Sequence, residues 1–236
     1  REGLPKGWLD AEADKTAAVH EAGAPAPAVY GPMEIGLRIG YVFDKAPGRS
    51  QLARIQRSPQ RVRRLARRLG EIHAEILHCG CADLPDVKEV LAWKIVRAEA
   101  LHSTEKAKAR DALTRLPDGT KVLHGDYHTE NVFVDRNQAT VIDWVDASCG
   151  DPAADIARTM WLLSPAVIPP DMLGRRSARL LANTARRTYA STILPAAGRT
   201  RADVREWRLP VLAGRLSEGV AHEEEALVRE IRRLIG

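Results

Sequence analysis

Four polar residues in the middle of the chain have the types and spacing to move a phosphoryl group. Asp126 stands two residues after His124, Asn131 five after Asp126, and Asp143 closes the apolar run Val141-Ile142. Phosphoryl transfer needs a carboxylate at the attacking hydroxyl, to orient it and accept its proton. It also needs oxygen ligands across a short loop, to hold the divalent cations that neutralise the phosphates. Asp126 suits the first task, and Asn131 with Asp143 the second, in the H-x-D-x4-N spacing of that chemistry. The competing account is a polar loop that braces itself, with His124 and Asp126 bonded to nearby backbone and Asp143 merely ending a strand. The order of the parts favours chemistry: a strand before the loop, a hairpin after it, and a carboxylate where the hairpin ends.

The flanking pattern supplies those parts. Lys121-Val-Leu123 is a short strand-like run, and Val132-Phe-Val134 and Thr140-Val-Ile142 are two more, joined by Asp135-Arg-Asn-Gln138 as a hairpin turn. Asp151 before Pro152 predicts a helix start, the carboxylate capping free amides and the proline fitting the first turn. Upstream, residues 10–22 are rich in helix formers and Gly23 supplies a stop. Ala24-Pro-Ala-Pro27 must run extended into Val29 and Tyr30. Ile35 to Phe43 resembles a strand pair broken by glycines, and Lys45-Ala-Pro-Gly48 is the best internal boundary. Val62, Leu65, Leu69, Ile72 and Ile76 recur at helical intervals as a buried stripe. Arg57, Arg61, Arg64 and Arg68 recur on the opposite side, where a solvated face is favoured over a phosphate-binding ridge because no aromatic residues interleave. A second helical stretch is expected over roughly residues 86–112. Leu209, Leu212, Leu216, Val220, Leu227, Ile231 and Leu234 keep helical spacing to the end of the chain.

With those residues in place, the sequence resembles the aminoglycoside phosphotransferase and choline kinase family of protein-kinase-like small-molecule kinases. The matching text is HGDYHTEN (124–131), VIDWVDASCGDP (141–152) and Asp155, with Leu69-Gly-Glu-Ile-His73 further upstream. The resemblance implies an α+β, two-lobed fold with a mostly helical C-terminal lobe. Residues 1–48 would be a truncated small N-terminal lobe and hinge, and 49–236 the catalytic and acceptor-binding lobe. It makes Asp126 the base and Asn131 and Asp143 the ligands of Mg²⁺. Asp155 would brace the catalytic loop, and Asp146 stands where many members carry Glu. For ATP, Glu12 would partner the nucleotide-binding lysine, while Phe43, Asp44 and Ala46 lie in the linker whose backbone contacts adenine. His128 could touch a phosphate, although loop bracing is the favoured role. The implied partners are a nucleotide and a small molecule offering a hydroxyl, aminoglycoside-like or an amino alcohol.

In this family a phosphate-covering loop and a lysine-bearing strand precede the Glu12 helix, and nothing before Glu12 has room for both. Together with the opening at Arg1, that suggests lost small-lobe strands. It leaves a second reading, a non-catalytic kinase-like binding module. Composition narrows the rest. Of 236 residues, 44% are hydrophobic and 28% charged, which excludes a disordered chain. No apolar run is long enough to cross a bilayer. Lys plus Arg total 36 against 31 Asp plus Glu, a formal +5 that is too small to argue for nucleic acid. The three cysteines, Cys79, Cys81 and Cys149, are expected as reduced thiols in a cytoplasmic protein. His73 is expected as a satisfied core histidine, and Trp161 and Trp207 as core. Glu223, Glu224 and Glu225 are expected on a solvated helix face, with at least one turned toward the apolar stripe.

Overall fold

The computed structural model describes residues 6–36, 38–81, 83–168 and 176–236. The chain opens with helix α1 (Lys6–Glu21) and a hairpin of β1 (Val29–Ile35) and β2 (Arg38–Phe43). The hairpin register, Val29 opposite Phe43 through Ile35 opposite Arg38, starts earlier than the glycine-broken pair expected over 35–43. Next come β3 (Arg49–Ser50), α2 (Gln51–Arg57) and α3 (Val62–His78). The expected stripe of α3 is buried in full, Val62, Leu65, Leu69, Ile72 and Ile76 each being 9% exposed or less. At about 2 kcal/mol per buried aliphatic side chain, that face alone contributes roughly 10 kcal/mol against chain entropy. The expected arginine series does not share one helix: Arg57 ends α2, Arg61 precedes α3, and only Arg64 and Arg68 lie on α3, on its solvated side. Arg57, Arg61 and Arg64 are exposed, and Arg68 pairs with Glu71 and Glu75 at 3.5 and 3.3 Å.

The helical stretch expected over 86–112 is built as two helices, α4 (Val87–Arg97) and α5 (Ser103–Thr114), separated by the turn Ala98–His102. Helical propensity runs through this stretch, but each helix has its own cap. Asp86 accepts from the amides of Lys88 and Glu89, and Glu105 reaches back to the amide of His102. Strand β4 (Lys121–Leu123) then enters the loop over 124–131, followed by the hairpin β5 (Val132–Asp135) and β6 (Gln138–Val141). Strand β7 (Ser148–Gly150) pairs antiparallel with β4, and β3 adds to β5, so two small sheets grip the loop from either side.

Helix α6 (Pro152–Leu162) starts where expected: the Asp151 carboxylate accepts from the Ala153 amide at 2.8 Å and Pro152 sits in the first turn. Ion pairing to Arg199 fixes the same cap. Nearly every residue of α6 is buried, so it runs through the core. Around it lie α7 (Arg176–Ala196), α8 (Arg201–Arg215) and α9 (Ala221–Ile235). The long apolar spacing expected through the C-terminus therefore spans two helices, and Leu212, Leu216, Leu227 and Ile231 are its buried members. Trp144, Trp207, Tyr127 and Tyr189 are fully buried and complete one continuous core.

The expectation of three free thiols is corrected. Cys81 and Cys149 are joined as a disulfide with their Cα atoms 5.6 Å apart, and Cys79 is free. The pairing follows from the fold, since the isolated bridges of Gly80 to Lys121 and Asp86 to Cys149 bring this connection against β7. No helix among the described residues is long and apolar enough to cross a membrane.

Candidate active site

The loop from His124 to Asn131 is held by a carboxylate beneath it. Asp155, buried in the first turn of α6, accepts from the amides of His124 at 2.6 Å and Gly125 at 3.0 Å. Its remaining contact is with His73 Nε2 at 3.0 Å, while His73 Nδ1 faces the Tyr189 hydroxyl at 2.6 Å. His73 also stacks on Tyr127 with ring centroids 4.0 Å apart. Burial opposes charge on Asp155, yet His73, His124 and the loop amides outweigh it and hold the carboxyl below its usual range. His73 is thus a satisfied core histidine whose task is to brace the brace.

Gly125 gives the loop its bend. Its φ of +79° is strained for any residue with a Cβ, and such an atom would lie 2.3 Å from the Asp146 carbonyl oxygen. His124 is buried, with Nδ1 accepting from the Asp126 amide at 3.2 Å and Nε2 placed to donate to the Ile142 carbonyl at 3.1 Å. Burial lowers its pKa, so the ring is neutral and ties loop to hairpin.

Asp126 emerges half-buried from this scaffold with a partner on each oxygen. Arg158 Nη2 of α6 lies 3.1 Å from Oδ1, and His128 Nε2 lies 3.3 Å from Oδ2. Burial alone would raise its pKa, but the hydrogen bond from His128 and the Arg158 guanidinium prevail and hold the carboxyl well below the usual range. The group is therefore an ionised, oriented carboxylate at any neutral pH. His128 Nδ1 takes the Glu130 amide at 3.3 Å, so both ring nitrogens of His128 are engaged within the loop.

Asn131 closes the loop. Its side-chain nitrogen donates to the Asp126 carbonyl at 3.1 Å, leaving the amide oxygen as its end for a cation. The Ile142 amide donates to the Asn131 carbonyl at 3.0 Å, which sets Asn131 beside the exit of the hairpin. Asp143 follows at once, exposed and at φ +68°, a left-handed conformation uncommon outside glycine that turns the chain away from the strand. A carboxylate and an amide oxygen form an all-oxygen donor set, which fits a hard divalent cation.

The other expected residues lie on separate elements. Glu12 is on α1, which reaches the segment after Asp143 through Lys15, whose Nζ donates to the Val145 carbonyl at 2.6 Å. Phe43 ends β2, Asp44 and Ala46 lie between β2 and β3, and the link of this segment to the 124–131 loop runs through the pairing of β3 with β5. The Asp44 carboxylate accepts from the Tyr30 hydroxyl at 2.8 Å.

Sequence reasoning missed the charged network behind Asp126. Arg158 also contacts Glu218 Oε2 at 2.8 Å, and Glu218 is bound in turn by Arg215 and by Lys94 at 3.2 Å. Lys94 pairs with Asp146 at 2.8 Å. Burial opposes the charge on Glu218, but Arg158 foremost, with Lys94 and Arg215, pulls its pKa down to about 2. Of the three consecutive glutamates, Glu223 is the one turned inward. It is 1% exposed and held by Arg215 and by Trp161 Nε1 at 2.8 Å, while Glu224 and Glu225 face solvent. One signal pointed to Arg158: it stands three residues after Asp155, hence on the same face of α6. Beside Gly125 a small cavity of about 50 Å³ is lined by Leu91, Lys94, Asp146, Arg158 and Glu218.

Comparison with known proteins agrees with this architecture. The apo structure of a thermostable mutant of aminoglycoside phosphotransferase APH(4)-Ia superposes with a TM-score of 0.63 at 16% identity, over 95% of this chain and 83% of that one. An aminoglycoside-3'-phosphotransferase of type VIII gives 0.59 at 19% identity, over 90% and 80%. The amicoumacin kinase hAmiN, solved with AMP-PNP, Ca²⁺ and Ami, gives 0.60 at 14% identity, over 98% and 78%. No curated protein sequence matches. These similarities establish the protein-kinase-like α+β fold. Residues 5–191 match the phosphotransferase enzyme family (APH), and with most of its length inside that match the chain belongs to this family.

Proposed function

We propose that the chain transfers the γ-phosphoryl group of ATP to a hydroxyl of a small molecule, an aminoglycoside-like compound or an amino alcohol. The observation that carries this reading is the state of Asp126: ionised, steadied on both oxygens, and in the loop that Asn131 closes. Asp126 orients the acceptor hydroxyl and takes its proton as the oxygen attacks phosphorus. Asn131 and Asp143 would hold Mg²⁺, which when bound neutralises charge on the phosphates. Arg158 and His128 keep the carboxylate aimed and charged, so little of the barrier is spent on arranging it. Residues 1–48 form the small-lobe side of the nucleotide cleft, with Glu12, Phe43, Asp44, Ala46 and His128 serving ATP, and 49–236 form the catalytic and acceptor side.

The test is ATP turnover against a panel of aminoglycosides, macrolides, choline and amino alcohols. Asp126→Ala is expected to lower kcat by roughly 10²–10⁴-fold. Full rate in that variant, with an active parent, removes Asp126 as the base. Asp143→Ala is expected to abolish Mg²⁺-dependent nucleotide binding; unchanged binding removes the metal site.

A further inference from the structure

Away from the catalytic loop, a second cavity of about 380 Å³ opens between α6, α7 and α8. Its size is that of a small-molecule site. Arg186 of α7 and Arg201, Arg205 and Arg208 of α8 border it, the last three at intervals of four and three that set them on one face of the helix. Among the described lining residues the only carboxylate is Glu230, which is shared between Arg208 and Arg233. The opposite side is apolar, with Met160, Trp161, Leu194, Val204 and Leu212.

The arginines are undercompensated. Arg186 Nε is sealed from solvent and has no hydrogen-bond partner, although buried N–H groups are normally paired. Burial first, and then the guanidiniums of Arg208, Arg187 and Arg201, push the Arg186 pKa below its ordinary value. A cavity that gathers four planar cations around an orphaned donor is built for an oxyanion. A phosphate monoester brings close to two charges and three terminal oxygens, enough to engage several forks at once. A lone carboxylate brings one charge and two oxygens.

We propose that this cavity is a second binding site, separate from the phosphoryl-transfer centre, for a small phosphate-bearing molecule with an apolar body. The phosphate sits among Arg186, Arg201 and Arg205, and the body lies on Trp161 and Met160. Nothing in this arrangement depends on Asp126 or on turnover.

The test is calorimetric titration of the full chain with phenyl phosphate, inorganic phosphate and benzoate, in saturating AMP-PNP and Mg²⁺ to keep the probes out of the nucleotide cleft. Phenyl phosphate is expected to bind at one site, more tightly than inorganic phosphate and more tightly than benzoate, and to weaken with added salt. Arg205 is exposed, so Arg205→Gln leaves the fold intact and is expected to weaken binding about tenfold. Arg186→Gln is expected to do the same, and Asp126→Asn to leave binding unchanged. No heat from phenyl phosphate at millimolar concentration overturns the proposal, as does binding that both arginine variants retain in full. Equal affinity for benzoate overturns the phosphate class, and loss of binding in Asp126→Asn assigns the heat to the catalytic centre instead. Because binding is read directly, each result is independent of whether the chain turns over ATP.

Discussion

Replacing Arg158 with methionine keeps the volume of a buried side chain and removes its charge. Arg158 is 7% exposed at its side chain and bridges Asp126 and Glu218 at 3.1 and 2.8 Å. Removing one partner from a buried ion pair costs about 3–5 kcal/mol, because the other charge is left without compensation. Here the lower end applies, since Glu218 keeps Lys94 and Arg215 and Asp126 keeps His128. Linkage gives the same order. The Glu218 carboxyl is held at about 2 against an ordinary 4.5, a depression worth about 3 kcal/mol, of which Arg158 is the largest favourable source. The shift is a depression, so this stabilisation is complete above about pH 4.5 and is lost as pH falls toward about 2. Urea unfolding of the parent and Arg158→Met at pH 7 is expected to differ by about 3 kcal/mol, with the gap narrowing between pH 5 and pH 3. Glu218→Gln on the Arg158→Met background is expected to cost less than on the parent, with a coupling of about 1–2 kcal/mol. A loss that stays the same at pH 7 and pH 3 refutes the electrostatic account and points to packing. A more stable Arg158→Met protein at pH 7 shows that desolvation outweighs the ion pairs.

Gly125→Ala forces a Cβ to within 2.3 Å of the Asp146 carbonyl at a positive φ, and is expected to cost roughly 2–4 kcal/mol in chemical denaturation while displacing Asp126; an unchanged midpoint contradicts the close approach. Asp155→Asn replaces an acceptor of three hydrogen bonds with a group that must point a donor at a donor. Its expected cost is about 2–4 kcal/mol, read as a melting temperature lower by roughly 5–15 °C; a parent-like melting curve shows that the loop is held by other means. Thiol titration of the denatured, unreduced protein is expected to find one reactive cysteine, Cys79, and a titre of three shows the Cys81–Cys149 bond to be absent.

The shape of the 124–131 loop was legible because its information is local. Asp126, Asn131 and Asp143 are fixed by a strand, a tight loop and a hairpin that follow one another along the chain. The same holds for the start of α6, where Asp151 and Pro152 act on the turn they belong to. Where two helices share one stretch of propensity, as in α4 and α5, the break lay in the caps and was missed. The partners of the site residues were harder still. Arg158 meets Glu218 across 60 residues, Lys94 meets Asp146 across 52, and His73 meets Asp155 across 82. No periodicity encodes such pairings, and a chain with 36 basic residues offers too many candidates for charge alone to choose among them.

That abundance explains why a formal charge of +5 said so little. Net charge averages over two arrangements with opposite consequences. Behind Asp126, Arg158, Arg215 and Lys94 are matched by Glu218, Glu223 and Asp146. They contribute almost nothing to the total, while Arg158 among them helps keep the Asp126 carboxyl ionised. Between α7 and α8, arginines gather with little to oppose them, and the mild positive total becomes a strong local field. Electrostatic work in this fold follows from which charges are left unpaired, and only tertiary packing decides that.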